Sequence, residues 1–304
     1  MNKNLINSID ELKIKKKAII LVHNYQIPEI QDIADYLGDS LDLAKTASKT
    51  DCENIIFCGV DFMAESAKIL NPEKKVIIPD NTATCPMANM VDKKDLIRLK
   101  EKNPDSKVVC YINTTAEIKT LADICCTSSN GKNVVKSLKT DKIIFIPDKN
   151  LGSYIKRQVP NKNIMLWPGF CSTHNNITKE DIKSLKSKHP NAEVLVHPEC
   201  RLDVIDIADH AFSTNGMVNY TKESSTKEFI IGTEKDMCYR LEKENPEKNF
   251  YPVKSAICPN MKKITLEKVL NSLKTLEPKV NIEKDIMEKA KIPLEKMMNI
   301  KRGD

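Results

Sequence analysis

One pattern of residues occurs three times along this 304-residue chain, and it restricts the possible folds more than any other feature. Each copy opens with a helix-like stretch, a basic turn and an apolar run rich in β-branched residues: DELKIKKKAIILVHNY, RLKEKNPDSKVVCYIN and LKSKHPNAEVLVHPE. Each run ends in polar residues, as a buried strand does where it leaves a sheet. The segments that follow keep step: HNYQIPEIQDIADYLGDS, YINTTAEIKTLADICCTS and HPECRLDVIDIADHAFST. An Ala-Asp pair fixes the register at Asp35, Asp123 and Asp209. Twelve residues before that Asp stand His23, Tyr111 and His197; ten before it stand Tyr25, Asn113 and Glu199; five after it stand Ser40, Ser128 and Thr214. Twenty-two residues after it, a second apolar run is centred on Phe57, Phe145 and Ile231. A third run ends at Cys85, Cys171 and Cys258, which are 86 and 87 residues apart. Ordinary α/β alternation explains repeated strands and helices. It does not explain polar residues that recur in register at the strand ends.

Strands alternating with helices predict parallel sheets with helices on both faces. The expected fold is therefore α/β: three pseudo-equivalent three-layer αβα units with parallel sheets around a pseudo-threefold axis, and the active site at the centre. Open parallel sheets bind ligands at the carboxyl ends of their strands, where all of these residues stand. The register divides the chain into a first unit at 1–88, a second at 89–174, a third at 175–262 and a C-terminal helical tail at 263–304 packing on the core. The tail reads as two helices, ITLEKVLNSLKTLE and IEKDIMEKAKI, the second stopping before Pro293.

Several function classes are excluded. The net charge of +6 is mild, its lysines are scattered, and no basic stripe carries interleaved aromatics, so no nucleic-acid partner is expected. No stretch approaches 18 apolar residues, so no membrane span is expected. The N-terminal segment has no signal-peptide layout. A cytoplasmic protein is expected, in which ten cysteines are thiols, metal ligands or catalytic groups rather than a disulfide framework. Eight glycines and no G-x-G rule out the dinucleotide fingerprint and the P-loop, and neither H-E-x-x-H nor G-x-S-x-G occurs.

The chemistry follows from the register. On a threefold axis, Cys85, Cys171 and Cys258 would converge, and three thiolates suit an iron–sulfur cluster or a zinc ion. The other cysteines, Cys52, Cys58, Cys110, Cys125, Cys126, Cys200 and Cys238, read as apolar thiols. Ser40, Ser128 and Thr214 each stand where a helix begins, either as simple N-caps or as parts of anion sites at helix N-termini. His23, Tyr25, Tyr111, Asn113, His197 and Glu199 would face the central cleft as acid–base and binding groups, with His174 beside the cysteines. Two other readings stand at this level: a cluster hydro-lyase acting on another hydroxy acid, and a binding module with three cysteines on zinc.

The motifs HNYQ, DIADYLGDSLDLA, FCGVDFMAESAKILNPEK, CPMA, YINTTAEIK, CCTSSN, PGFCSTH, VHPEC and ICPNM run in order along the chain and resemble the quinolinate synthase (quinolinate synthetase A) family. The resemblance covers residues from about 18 to 275. It implies a condensing and dehydrating enzyme of transferase/lyase type in de novo NAD biosynthesis. Such an enzyme joins iminoaspartate to dihydroxyacetone phosphate, giving quinolinate, phosphate and two waters. It further implies a [4Fe–4S] cluster held by Cys85, Cys171 and Cys258, whose open iron is a Lewis acid. By the same resemblance, His23, Ser40, Tyr111, Asn113, Ser128, His174, His197, Ser213 and Thr214 hold substrate carboxylates and phosphate. Tyr25 and Glu199, with His23, Tyr111 and His197 around them, carry the acid–base work. The implied partners are these small anionic substrates and, in transient contact, the enzyme that supplies iminoaspartate. Some members carry a switchable CxxC after the last ligand; Met261 occupies that position here, so no disulfide switch is expected. STNGM departs from the family's S-T-S-G-M at Asn215.

Overall fold

The computed structural model describes residues 3–303. The strands there form three four-stranded sheets, parallel throughout. The first holds β1 (Ala18–His23), β2 (Tyr36–Gly38), β3 (Asn54–Cys58) and β4 (Lys75–Ile77) in the order β2-β1-β3-β4. The second holds β5 (Lys107–Tyr111), β6 (Ile124–Cys126), β7 (Lys142–Ile146) and β8 (Asn163–Leu166) in the order β6-β5-β7-β8. The third repeats this with β9 (Glu193–Val196), β10 (His210–Ala211), β11 (Glu228–Gly232) and β12 (Asn249–Pro252), ordered β10-β9-β11-β12. Helices cover both faces, so each central strand is buried at all but one residue or at every residue, and reads as an apolar run, as in NIIFC of β3.

The sequence suggests three strands per unit; the structure has four. The additional strands, β2, β6 and β10, are two or three residues long, too short to show a period. The Ala-Asp pair explains them. The Asp35 N–H donates to the Ile20 carbonyl at 3.0 Å, and Asp35 Oδ2 accepts from the Ile20 N–H at 2.8 Å. Asp123 treats Val108 in the same way, and Asp209 treats Val194, at the same two distances. A short carboxylate thus replaces a ladder carbonyl and launches the edge strand in every unit.

Helices Lys3–Lys15, Lys93–Lys102 and Lys179–Lys188 precede the first strand of each sheet. Helices Ser40–Lys49, Gly131–Ser137 and Thr214–Glu223 follow the edge strands. The tail helix Leu266–Thr275 packs on Lys3–Lys15, and Lys284–Met298 packs on β6 and on the helices Asp61–Leu70 and Ala116–Lys119. This last helix runs through Pro293 instead of stopping before it. Pro293, Leu294 and Met297 are all buried, and that burial offsets a cost of about 3 kcal/mol for a proline in a helix interior.

The strand order sets out the site. In each sheet the strand leading to a repeated hydroxyl and the strand leading to a repeated cysteine lie on opposite edges. With strands about 4.8 Å apart, the two edges are separated by about 14 Å. The central strands deliver the His, Tyr, Asn and Glu positions between them. Three such sheets around one axis stack a ring of hydroxyls, a ring of acid–base groups and a ring of cysteines.

Candidate active site

The carboxyl ends of the sheets enclose a cavity of about 310 Å³, within the range of small-ligand sites. Its wall includes His23, Tyr25, Ser40, Tyr111, Asn113, Ser128, His174, His197, Glu199 and Thr214, together with Cys85, Cys171 and Cys258. Ser213 does not line it. Its Oγ lies behind the wall, accepting from the Gly216 N–H at 3.2 Å and from Arg302 at 2.8 Å.

At the cysteine end the three copies agree in detail. Each cysteine N–H donates to a carboxylate that follows the central strand of its own sheet: Cys85 to Asp61 at 3.1 Å, Cys171 to Asp148 at 3.2 Å and Cys258 to Glu234 at 3.3 Å. Each sulfur also accepts a backbone N–H from three residues on, at Ala88, His174 and Met261. These carboxylates do not stand out in the sequence. Their signal was a fixed spacing of 24, 23 and 24 residues before the cysteines, obscured by the change from Asp to Glu. Burial pushes the Cys85 thiol up to about 12, and raises Cys171 and Cys258 as well. Thiolates at this spot therefore require a cation to hold them.

Among the described residues, the one group of three ligand atoms lying within 4.8 Å of one another is Cys171, His174 and Glu199; the three sulfurs do not form such a group. Cys58, Cys110, Cys125, Cys126, Cys200 and Cys238 are buried and Cys52 half-buried, and none of them lines the cavity. Met261, at the position of the family's extra cysteine, is buried, with its sulfur accepting from Gln26 Nε2 at 3.3 Å.

The middle ring is buried and held from behind. Glu199 Oε2 lies 2.8 Å from His174 Nδ1 and 3.3 Å from His197 Nδ1. Burial alone would raise the Glu199 carboxyl, but His174 and His197 together hold it below the usual carboxylate range. Its Oε1 has no hydrogen-bond partner among the described residues, and neither has Asn113 Oδ1. His174 Nδ1 also lies 3.2 Å from Cys171 Sγ, and its Nε2 lies 2.8 Å from Thr233 Oγ1. The Tyr25 hydroxyl lies 2.6 Å from that Thr233 oxygen and 3.3 Å from His174 Nε2. Burial, then the charge of Glu199, raises both Tyr25 and Tyr111 well above the ordinary tyrosine value, so both keep their protons. The Tyr25 N–H donates to His23 Nδ1 at 3.1 Å, which leaves the His23 proton on Nε2. Burial lowers His23 to about 3, so its ring is a neutral donor.

At the hydroxyl end the expected caps are displaced by one residue or more. Asp39 caps the Ser40–Lys49 helix, accepting from Leu41 and Asp42 N–H at 3.0 Å each. Ser213 caps the Thr214–Glu223 helix. Asn130 precedes the Gly131–Ser137 helix, and its Oδ1 turns back to the Thr127 N–H at 2.8 Å. Ser40 and Thr214 are therefore first helical residues, and Ser128 sits in the turn before its helix. Because Asp39 and Ser213 do the capping, Ser40 and Thr214 can face the cavity, and Ser128 lines it from its turn.

Comparison with known proteins places the chain among relatives of one name. The family model described as "Quinolinate synthetase A protein" matches residues 7–299. The chain is 51% identical over 296 residues to a quinolinate synthase of Thermodesulfovibrio yellowstonii, covering 97% of this chain and 98% of that one. It is 52% identical over 293 residues to a quinolinate synthase of Caldicellulosiruptor saccharolyticus, covering 96% and 97%. It is 48% identical over 299 residues to "Quinolinate synthase 1" of Methanosarcina acetivorans, covering 98% of each.

Proposed function

The chain belongs to the quinolinate synthetase A family, and from that premise we propose that it is a quinolinate synthase that condenses iminoaspartate with dihydroxyacetone phosphate. The products are quinolinate, phosphate and two waters. Atoms balance without an oxidant or reductant, so the residues need only bind, orient and move protons. One observation carries the reading: a single cavity is lined by three cysteines from three sheets and by Glu199, whose buried Oε1 no described residue satisfies.

Cys85, Cys171 and Cys258 would hold a [4Fe–4S] cluster. Their spacing supports this over zinc, since a lone zinc with bonds of about 2.3 Å draws its sulfurs to about 3.8 Å, inside the single-ion spacing that these three do not meet. When bound, such a cluster supplies Lewis acidity at an iron free of protein ligands. Ionised Glu199 accepts a proton at Oε1, with His174 Nδ1 holding its other oxygen. Tyr25, protonated and braced by Thr233 and His174, donates one. His23 Nε2–H, His197, the Tyr111 hydroxyl and Asn113 bind substrate oxygens, while Ser40, Ser128 and Thr214 bind the phosphate. Ser213 serves this end indirectly, as the cap of the Thr214 helix. Burial strengthens each of these polar contacts.

The test is direct. Protein purified without oxygen should be brown, contain iron and sulfide in equal amounts, and form quinolinate from the two substrates. A colourless, iron-free protein that makes no quinolinate after cluster reconstitution would overturn the proposal.

A further inference from the structure

The C-terminal segment is held across the hydroxyl end of the cavity, and its contacts follow one rule. It touches the residue adjacent to each of the three repeated hydroxyls. Arg302 donates to Asp39, beside Ser40, at 2.8 Å, and to Ser213, beside Thr214, at 2.8 Å. The Gly303 N–H donates to the carbonyl of Ser129, beside Ser128, at 2.7 Å. Asn133, in the helix after Ser128, donates through Nδ2 to the carbonyls of Lys301 at 3.2 Å and Arg302 at 3.1 Å. All three sheets are joined at this point by residues that are not themselves part of any sheet.

The charges explain why an arginine is there. Asp39 lines the cavity and Asp42 lies one turn behind it. Two carboxylates at the start of the Ser40 helix would repel an anion bound at Ser40 and Thr214. Arg302 pairs with both, at 2.8 Å to Asp39 and 3.3 Å to Asp42. Burial and Asp39 push the Asp42 carboxyl up, and Arg302 pulls it back. The link extends to Thr214: Asp42 accepts from Asn215 Nδ2, Asn215 Oδ1 accepts from Asn24 Nδ2 at 3.1 Å, and Asn24 Nδ2 donates to Thr214 Oγ1 at 2.7 Å.

We propose that Arg302 is a positioning residue for the phosphate: it neutralises Asp39 and Asp42 and fixes the wall that carries Ser40 and Thr214, so that this end of the cavity accepts an anion. The inference rests on the reading of that end as the phosphate site.

The experiment uses cluster-loaded protein. Arg302→Gln should raise KM for dihydroxyacetone phosphate about tenfold or more, with kcat within about twofold and iron content unchanged. Arg302→Lys, which keeps the charge, should stay within about threefold of wild type. Adding Asp42→Asn to Arg302→Gln should recover most of the lost affinity, because the repelling carboxylate is gone. A merely structural clasp predicts no recovery. Unchanged KM in Arg302→Gln, or a double variant no better than the single one, overturns the proposal. Inorganic phosphate, titrated while thermal stability is followed, reads the same subsite without turnover. Should wild type make no quinolinate, the enzymatic reading fails, yet phosphate binding still decides this one. Weaker binding in Arg302→Gln, restored in the double variant, supports it. Equal binding in wild type and Arg302→Gln, or none in wild type, overturns it.

Discussion

The two ends of the cavity are built from the same three repeats, yet only one has stayed symmetric. At the cysteine end the cysteine, the carboxylate behind its N–H and the N–H at its sulfur recur in every unit. At the hydroxyl end the repeated position is Ser, Ser or Thr, while the residue before it is Asp39, Thr127 or Ser213. The middle ring diverges further, with His23, Tyr111 and His197 at one position and Tyr25, Asn113 and Glu199 at the next. A compact cluster with three equivalent corners suits the symmetric end. A substrate with distinct carboxylates, carbonyls and phosphate requires the rest of the cavity to differ around the axis. On the proposed reading, the repeat persists where the bound group would be symmetric and fades where it would not.

The largest test of that contrast is at the symmetric end. Replacing any one of Cys85, Cys171 or Cys258 with Ala should remove nearly all of about four irons per chain, equally for the three positions. Cys52→Ala and Cys238→Ala should keep them. Full iron content in Cys85→Ala would break the equivalence. The middle ring should instead respond unequally. Glu199→Gln should lower turnover by ~10²-fold or more with iron content intact. Near-normal kcat would move Glu199 to a structural role.

The sequence was most readable where burial imposes a pattern. Nine of the strands fall within apolar runs because helices cover both sheet faces, and the cysteines stand out by register alone. The edge strands β2, β6 and β10 do not appear, since two or three residues carry no period and their pairing depends on an Asp side chain. Asp61, Asp148 and Glu234 were hidden because a buried carboxylate looks like any other until its N–H partner is seen. Hydroxyl and cap were confused because they are neighbours, and sequence cannot tell N-cap from N1. The Arg302 contacts span 263 and 89 residues, beyond the reach of any local pattern.

That displacement of cap from hydroxyl can be measured. Ser128→Ala and Thr214→Ala should each lower kcat/KM by about ten- to a hundred-fold, the loss of one charge-assisted hydrogen bond of roughly 1.5–3 kcal/mol. Ser213→Ala removes a true cap and should cost about 1 kcal/mol of stability. Thermal melts and steady-state kinetics on the same cluster-loaded variants separate the two kinds of residue. Normal kinetics with lowered melting points in both Ser128→Ala and Thr214→Ala would remove the hydroxyls from the anion site.

The last contrast, confined to acid pH, distinguishes two equivalent positions in the middle ring. His23 and Tyr111 end the first strand of their sheets, but only His23 can gain a proton in the acid range. Burial lowers folded His23 to about 3, while the unfolded histidine titrates near 6.5. Below about pH 6.5 the unfolded chain takes up a proton that the folded chain refuses. Stability is therefore lost as pH falls toward 3, by at most about 1.4 kcal/mol per pH unit from this group. Tyr111 is raised by burial and is protonated in both states at acid pH, so it contributes no such slope. Denaturant unfolding of the cluster-free protein at pH 6, 5 and 4 should show a shallower loss in His23→Gln than in wild type, with the Tyr111→Phe slope unchanged. Parallel slopes for His23→Gln and wild type would mean that His23 accepts its proton while folded, and the neutral donor assigned to the first repeat would be a cation.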